Sequence, residues 1–411
     1  MSEISLQPDG ARDGGVGQPQ FPDAEVPYDE PDLPVDVYPG PKSPLRSFPR
    51  DWASAFKPNN PNAWNTPRVF QSTTSEAGGS GNAAGPSTGS TKQEESPDPG
   101  ALELHKIRRE IKMMAKSDPA TILQRLREPC GDVSDGSEYK EFEMVKKRWM
   151  LSALYSLDGV VKMDAMPSEP AEKKTRRVLA LFESHSTTSY LAAAHTKDRV
   201  YHLSPSPLSR DQFPNVRPLA VPAQISTLPV SERVFSTAYC LCLPSVVATK
   251  DIPNILKELH GCLLPGATFH LTLIDPLPVP SSVGPYMRGW FNKNLLLNLE
   301  KNNRCMVASR LIQEWLTESC LTGDGSSVTR ARFPAIPPEP HSKMTFRDLD
   351  DDQRIKLEVR GEVGRMLWKE VWGRHVEGES WWWEDEDIVE ECHQLGTCWE
   401  YYLFEAVNQK D

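Results

Sequence analysis

Long hydrophobic runs are missing from the 411-residue chain. None approaches the roughly 20 apolar residues that a helix needs to cross a bilayer, so no membrane span is expected. The opening Met1-Ser2-Glu3-Ile4 lacks the basic-then-apolar order of a secretory leader. Positive charge is in deficit: 46 Lys and Arg stand against 57 Asp and Glu, a net charge of -11. A general nucleic-acid surface needs clustered cations to displace counterions, so nucleic acid is not expected as a partner. Cysteine pairs at metal-binding spacing are also lacking. Cys392 and Cys398, with His393 beside the first, are too far apart for the usual pair, and no second pair follows. Other cysteines, such as Cys240 and Cys242, sit in apolar runs where a free thiol acts as a small hydrophobe. That usage fits a reducing compartment, cytoplasmic or nuclear. Neither a GxxxxGK[ST] phosphate loop nor a GxSxG nucleophile elbow occurs.

Residues 1–100 have few apolar residues among many Pro, Gly, Ser, Asp and Glu. Too little surface can be buried there to offset about 1–2 kcal/mol per residue of backbone entropy, so this part reads as a disordered tail. Residues 101–175 read as a helical lead-in. Leu102, Ile107, Ile111 and Met114, then Ile122, Leu123 and Leu126, predict two short helices broken at Ser117-Asp118-Pro119, where Asp118 or Ser117 can cap the second. His105, Lys106, Arg108, Arg109, Lys112 and Lys116 make the first helix basic, a face read as solvated in preference to a phosphate or partner site. An apolar stripe of Phe142, Val145, Trp149, Leu151, Leu154 and Tyr155 predicts a longer helix over 139–157, with Gly159 as its stop.

From residue 176 strands and helices alternate, the pattern of an α/β domain with a parallel sheet. Val178-Leu179-Ala180-Leu181-Phe182 is continuously apolar, as for a strand covered on both faces. Further strands are expected over 199–203, 216–221, 234–241, 268–274 and 330–336, with a last one over 398–407. Helices are expected over 187–194, 251–260, 286–321 and 352–372. Pro265-Gly266 is read as the turn between the second of these helices and its strand. Trp381-Trp382-Trp383 ahead of Glu384-Asp385-Glu386-Asp387 is read as an amphipathic insert packing on the sheet, with an exposed partner patch as the other reading.

The stretch Leu256-Lys257-Glu258-Leu259-His260-Gly261-Cys262-Leu263-Leu264-Pro265-Gly266-Ala267 resembles the helix, Leu-x-Pro-Gly-Gly turn and strand of class I S-adenosylmethionine-dependent methyltransferases. Gly364-Arg365-Met366-Leu367-Trp368, the tryptophan run, Glu391-Cys392 and Thr397-Cys398-Trp399-Glu400-Tyr401 resemble a group of fungal methyltransferase-like proteins with a helical insert, here at about 340–395, before the last strand. The resemblance covers roughly residue 139 to the end. It implies a class I methyltransferase-like (Rossmann-like), mostly parallel central sheet with flanking helices. It implies S-adenosylmethionine as the cofactor, with Glu183, Ser184, Ser186 and Ser204 at the family's cofactor-binding positions.

The residues at those positions depart from the family's pattern. Its Gly-x-Gly-x-Gly turn falls on Phe182, Ser184 and Ser186, and its first-strand acid on Ala180. The acid that holds the ribose at the end of the second strand falls on Ser204, and the acid near the adenine on Pro222-Ala223. Glycines let the backbone approach a ligand and take positive φ, and a hydroxyl cannot supply a carboxylate's charge-assisted pair of bonds. The expectation is a methyltransferase fold with a degraded S-adenosylmethionine site, weakly active or non-catalytic. It would act through protein contacts made by the tail or the tryptophan-rich insert. The alternative is an active methyltransferase with an atypical cofactor pocket and an unknown methyl acceptor. Glu183 and His185 as an acid/base pair is a further reading, set against ordinary loop residues.

Overall fold

A computed structural model of the chain describes residues 99–129, 136–157, 175–222, 225–337 and 350–409. The tail reading, apart from Pro99 and Gly100, lies outside them, as do Gly159 and Ala223. In chain order the elements are α1 (Pro99–Met114), α2 (Pro119–Arg127), α3 (Gly136–Leu157), β1 (Arg177–Leu181), α4 (His185–Ala194), β2 (Arg199–Ser204), β3 (Val216–Ala220) and β4 (Phe235–Cys240). There follow α5 (Leu243–Val246), α6 (Ile252–Cys262), β5 (Leu263–Ile274), α7 (Pro285–Phe291), α8 (Leu297–Lys301), α9 (Ala308–Glu318), β6 (Ser327–Pro334), α10 (Asp351–Trp372), α11 (Glu386–Leu395) and β7 (Cys398–Val407).

The seven strands form one sheet in the order β3-β2-β1-β4-β5-β7-β6. β1 to β5 are mutually parallel, and β7 runs antiparallel to both β5 and β6. This is the expected class I methyltransferase-like arrangement. The connection sense reverses between β1 and β4, which makes their carboxyl ends the topological switch point where such sheets take ligands.

Alternate residues of β1 enter different cores. Val178 and Ala180 join Trp149, Leu154 and Tyr190 on one face, and Leu179 and Leu181 join Ile255, Leu256 and Phe269 on the other. Both sets are buried, which is why the strand reads as continuously apolar. The lead-in helices cover the first face: α1 packs on α4, and α2 and α3 pack on α10. Asp118 caps α2 as expected, its carboxylate accepting from the Thr121 amide at 2.9 Å. Arg127 then ties α2 to α10 through Glu358 at 2.8 Å and Glu362 at 3.0 Å. Of the apolar residues that predict α1, Ile107, Ile111 and Met114 are buried and Leu102 is exposed.

Pro265-Gly266 is not a turn ahead of the strand. α6 passes into β5 at Leu263, and pairing with β4 steps from Phe235–Leu263 to Thr237–Thr268, so the Pro-Gly pair sits in a bulge inside β5. Gly266 takes φ 75° there and donates its amide to the Asn408 carbonyl at 2.9 Å. Asn408 Nδ2 donates in turn to the carbonyls of His260, Leu263 and Leu264. The anchor of the bulge therefore comes from beyond β7.

The insert is built on tryptophan. Trp368 and Trp372 of α10 donate their indole N–H groups to the carbonyls of Pro276 (2.9 Å) and Ile274 (3.0 Å), fixing α10 over the end of β5. Trp381, Trp382 and Trp383 are 5, 0 and 3 % exposed, so the tryptophan run packs. Trp381 stacks on Trp383, and Trp382 on Trp399 of β7. Among the described residues no helix is long and apolar enough to cross a membrane.

Gly364 lets α10 lie directly on β6, because a Cβ there would sit 2.2 Å from the buried Phe333 ring. Gly364→Ala is expected to lower stability by about 1–3 kcal/mol through overpacking, read as a drop in the denaturant midpoint at unchanged slope. An unchanged midpoint would mean that α10 shifts freely on β6.

Candidate functional site

The loop from β1 to α4 spans only residues 182–184. Phe182 takes φ 58°, a left-handed conformation that costs a non-glycine residue about 1–2 kcal/mol. Its amide donates to the Leu203 carbonyl at 2.8 Å, continuing the β1–β2 ladder, and its ring is buried in the core on the α6 side. The first of the three glycine positions thus keeps a backbone shape that favours glycine but carries a side chain. The second does not keep it: Ser184, at φ -74° and ψ 165°, is the N-cap of α4, and its Oγ accepts from the Thr187 amide at 3.3 Å. The third, Ser186, is buried within the first turn of α4.

Glu183, between them, is buried, and its Oε2 has no hydrogen-bond partner. Burial first, and then the nearby Glu370 charge, push its carboxyl up to about 8, against the Leu241 amide and the Thr187 hydroxyl, which favour the ionised form. The Glu183 backbone is held as well. Its carbonyl accepts from His202 Nε2 at 2.8 Å, while His202 Nδ1 accepts from the Leu208 amide at 2.8 Å. Those two partners assign His202 the neutral tautomer with the proton on Nε2. Burial pushes its pKa down to about 4. Ser204 ends β2 with its hydroxyl accepting from the Ser206 amide at 3.3 Å. His185 is exposed, its Nε2 within 2.7 Å of the Ser206 carbonyl oxygen, and Glu183 is buried. The two are not gathered as a facing acid/base pair.

Two further residues complete the site. Lys147 of α3 meets Glu370 of α10 at 2.5 Å. Burial acts to raise the Glu370 carboxyl, but Lys147 and the Ser184 hydroxyl outweigh it and hold the group below its usual value. Lys147 is shifted up by the same pairing, against burial. The two buried acids thus differ: Glu370, which Lys147 touches, is held toward its ionised form, and Glu183 is pushed toward its protonated form. Neither Lys147 nor Glu370 stands out in the sequence, where each reads as a helix-surface charge. The only signal was Lys146-Lys147-Arg148 within an otherwise apolar stripe. His202 was passed over as an ordinary strand residue.

The strand ends at which the resemblance expects S-adenosylmethionine carry groups that already have partners within the chain. The first glycine position carries a buried phenyl ring, the ribose position offers a hydroxyl already bonded to Ser206, and Ser184 joins the Lys147–Glu370 pair across the loop. Among the described residues no cluster of three or more His, Cys, Asp or Glu side chains is placed to hold a metal ion.

No protein-family model matches the chain, and no curated protein matches it. Solved structures do. The chain is similar to the YcgJ protein of Bacillus subtilis (13 % identity, 58 % of this chain and 93 % of that one, TM-score 0.33). It is similar to a putative methyltransferase of Bacillus halodurans (12 %, 61 % and 99 %, TM-score 0.31). A third is the Haemonchus contortus phosphoethanolamine N-methyltransferase 2 bound to S-adenosyl-L-methionine (12 %, 69 % and 62 %, TM-score 0.34). At such scores it is the strand order and strand directions that carry the fold.

Two predictions follow from the polar group. Glu183 has a folded-state pKa of about 8 against an ordinary 4.5, so the folded protein binds this proton more tightly than the unfolded chain. The stability it contributes is complete below about pH 4.5 and is lost as pH rises through 8. Glu183→Gln should therefore be more stable than the parent at pH 8.5, by on the order of a few kcal/mol, with the gap closing toward pH 5. Parallel melts across that range check it, and a constant gap would remove the assignment. Lys147→Met and Glu370→Met should each cost about 3–5 kcal/mol by leaving a buried charge alone, and the double variant less than their sum. Additive losses in a double-mutant cycle would mean that the pair carries no coupling.

Proposed function

We propose that this chain is a methyltransferase-fold protein whose S-adenosylmethionine site is no longer built, and that it acts without catalysis, through protein contacts. The observation that carries this reading is the Lys147–Glu370–Ser184 group, which places protein side chains against the loop that a cofactor would use. Phe182 and Ser204 support it, since both occupy cofactor positions with groups already committed to other contacts. The free, buried thiols of Cys240, Cys242 and Cys262 suit a reducing cytoplasmic or nuclear setting.

One observation favours the second reading, an active methyltransferase with an atypical pocket. Glu183 Oε2 is a buried acceptor without a partner at the end of β1, the kind of atom a ligand donor could satisfy. Isothermal titration of the full chain with S-adenosylmethionine and S-adenosylhomocysteine separates the two. No binding up to about millimolar ligand, some 4 kcal/mol of affinity, is the expected result. Micromolar binding of either compound would replace the first reading with the second.

A further inference from the structure

Helix α1 carries two stripes. Leu104, Ile107, Ile111 and Met114 are buried against the domain. On the opposite side Leu102, His105, Lys106, Arg109, Lys112 and Met113 follow one another at three- and four-residue helical spacing and are all exposed, with Lys116 just past the helix end. Leu102 and Met113 are 54 and 52 % exposed. A solvated face accounts for the cations. Leu102 and Met113 add apolar surface at the two ends of the cationic stripe. Two carboxylates flank the stripe: Glu103 lies 3.9 Å from Lys106, and Glu110 faces Arg148 of α3 at 3.8 Å. The stripe stays cationic in a chain whose net charge is -11.

We propose that this stripe is a docking surface for residues 21–38 of the same chain. That segment carries six carboxylates, Asp23, Glu25, Asp29, Glu30, Asp32 and Asp36, and no Lys or Arg. Between them lie Phe21, Val26, Tyr28, Leu33, Val35, Val37 and Tyr38. It therefore matches the stripe in both respects, charge against opposite charge and apolar side chains for Leu102 and Met113. The connection reaches. Sixty residues, 39–98, separate the segment from the start of α1. Sixty residues can reach at most roughly 200 Å by their covalent length, and α1 is only ~24 Å long. Tethering raises the local concentration of the segment, so each contact can be weak and still be populated. An ionic contact of this kind weakens with salt, since exposed charges are screened beyond about 8 Å at physiological ionic strength. Docking of residues 21–38 would withhold both surfaces from other partners, which makes it a means of regulating the protein contacts proposed above. It does not depend on whether the chain binds S-adenosylmethionine.

Zero-length carbodiimide cross-linking of the full chain, with peptide mapping, tests the proposal. Mixing light and heavy-isotope chains distinguishes links within one chain from links between copies. Amide links from carboxylates in 21–38 to Lys106 or Lys112, within one chain, are the expected result. Their yield should fall several-fold in about 0.5 M salt, and likewise in the Arg109→Glu variant, which leaves both lysines reactive. Links that scatter over other carboxylates, that join light to heavy chains, or that ignore salt and Arg109→Glu would overturn it. So would recovery of unlinked Lys106 and Lys112 peptides beside links elsewhere in the chain.

Discussion

The contact between Lys147 and Glu370 joins three parts of the chain that are remote in sequence: the lead-in helix α3, the insert helix α10 and, through Ser184, the β1–α4 loop. Removing two charges from water is costly, and a buried pair stabilises only when further hydrogen bonds complete it. Ser184 supplies one. The arrangement has a cost nearby, because the Glu370 charge helps keep Glu183 protonated, and one Glu183 oxygen is left without a partner. The fold tolerates this because Glu183 is neutral at the pH where the pair is ionised. Each group's charge state depends on the other's, so the strand ends form one electrostatic unit.

The rest of the domain is arranged to keep that unit in place. α10 cannot slide, since Trp368 and Trp372 are bonded to backbone carbonyls at the end of β5, and Gly364 brings it against Phe333. α3 cannot lift away, since Trp149, Met150 and Leu154 are buried and α2 is held to α10 by Arg127. The insert and the lead-in are therefore structural parts of the site.

What the sequence made legible follows from how local each signal was. β1 and β7 were read almost to the residue, because burial on both faces or an aromatic, β-branched run is visible within ten residues. The Asp118 cap was equally local. The β5 bulge was misread because Pro265-Gly266 is an ordinary turn signal by itself, and what converts it into a bulge is Asn408, far along the chain. Lys147 and Glu370 were invisible for the same reason. A helix-surface lysine and one bound for a buried acid look alike until the helices are placed. Leu102 shows a different failure: grouped with Ile107, Ile111 and Met114 as an apolar residue of α1, it falls on the opposite side of the helix, in the exposed stripe.

The loop at Phe182 shows how a strand end of this fold can be stabilised from within the chain. The positive φ costs about 1–2 kcal/mol, and burying the phenyl ring contributes roughly 1.5–3 kcal/mol. The two ranges overlap, so the exchange comes out close to even or favourable, with no term from a bound molecule. A glycine would remove the strain and lose the ring, leaving a gap that only something from outside could fill. A protein that keeps glycine there gains stability from its cofactor by mass action. Here Phe182, the Ser184 cap, the His202 bond to the Glu183 carbonyl and the Lys147–Glu370 pair supply the stabilisation from within the chain. These strand ends are thus held by contacts within the chain, and that is the physical basis of the non-catalytic reading proposed above.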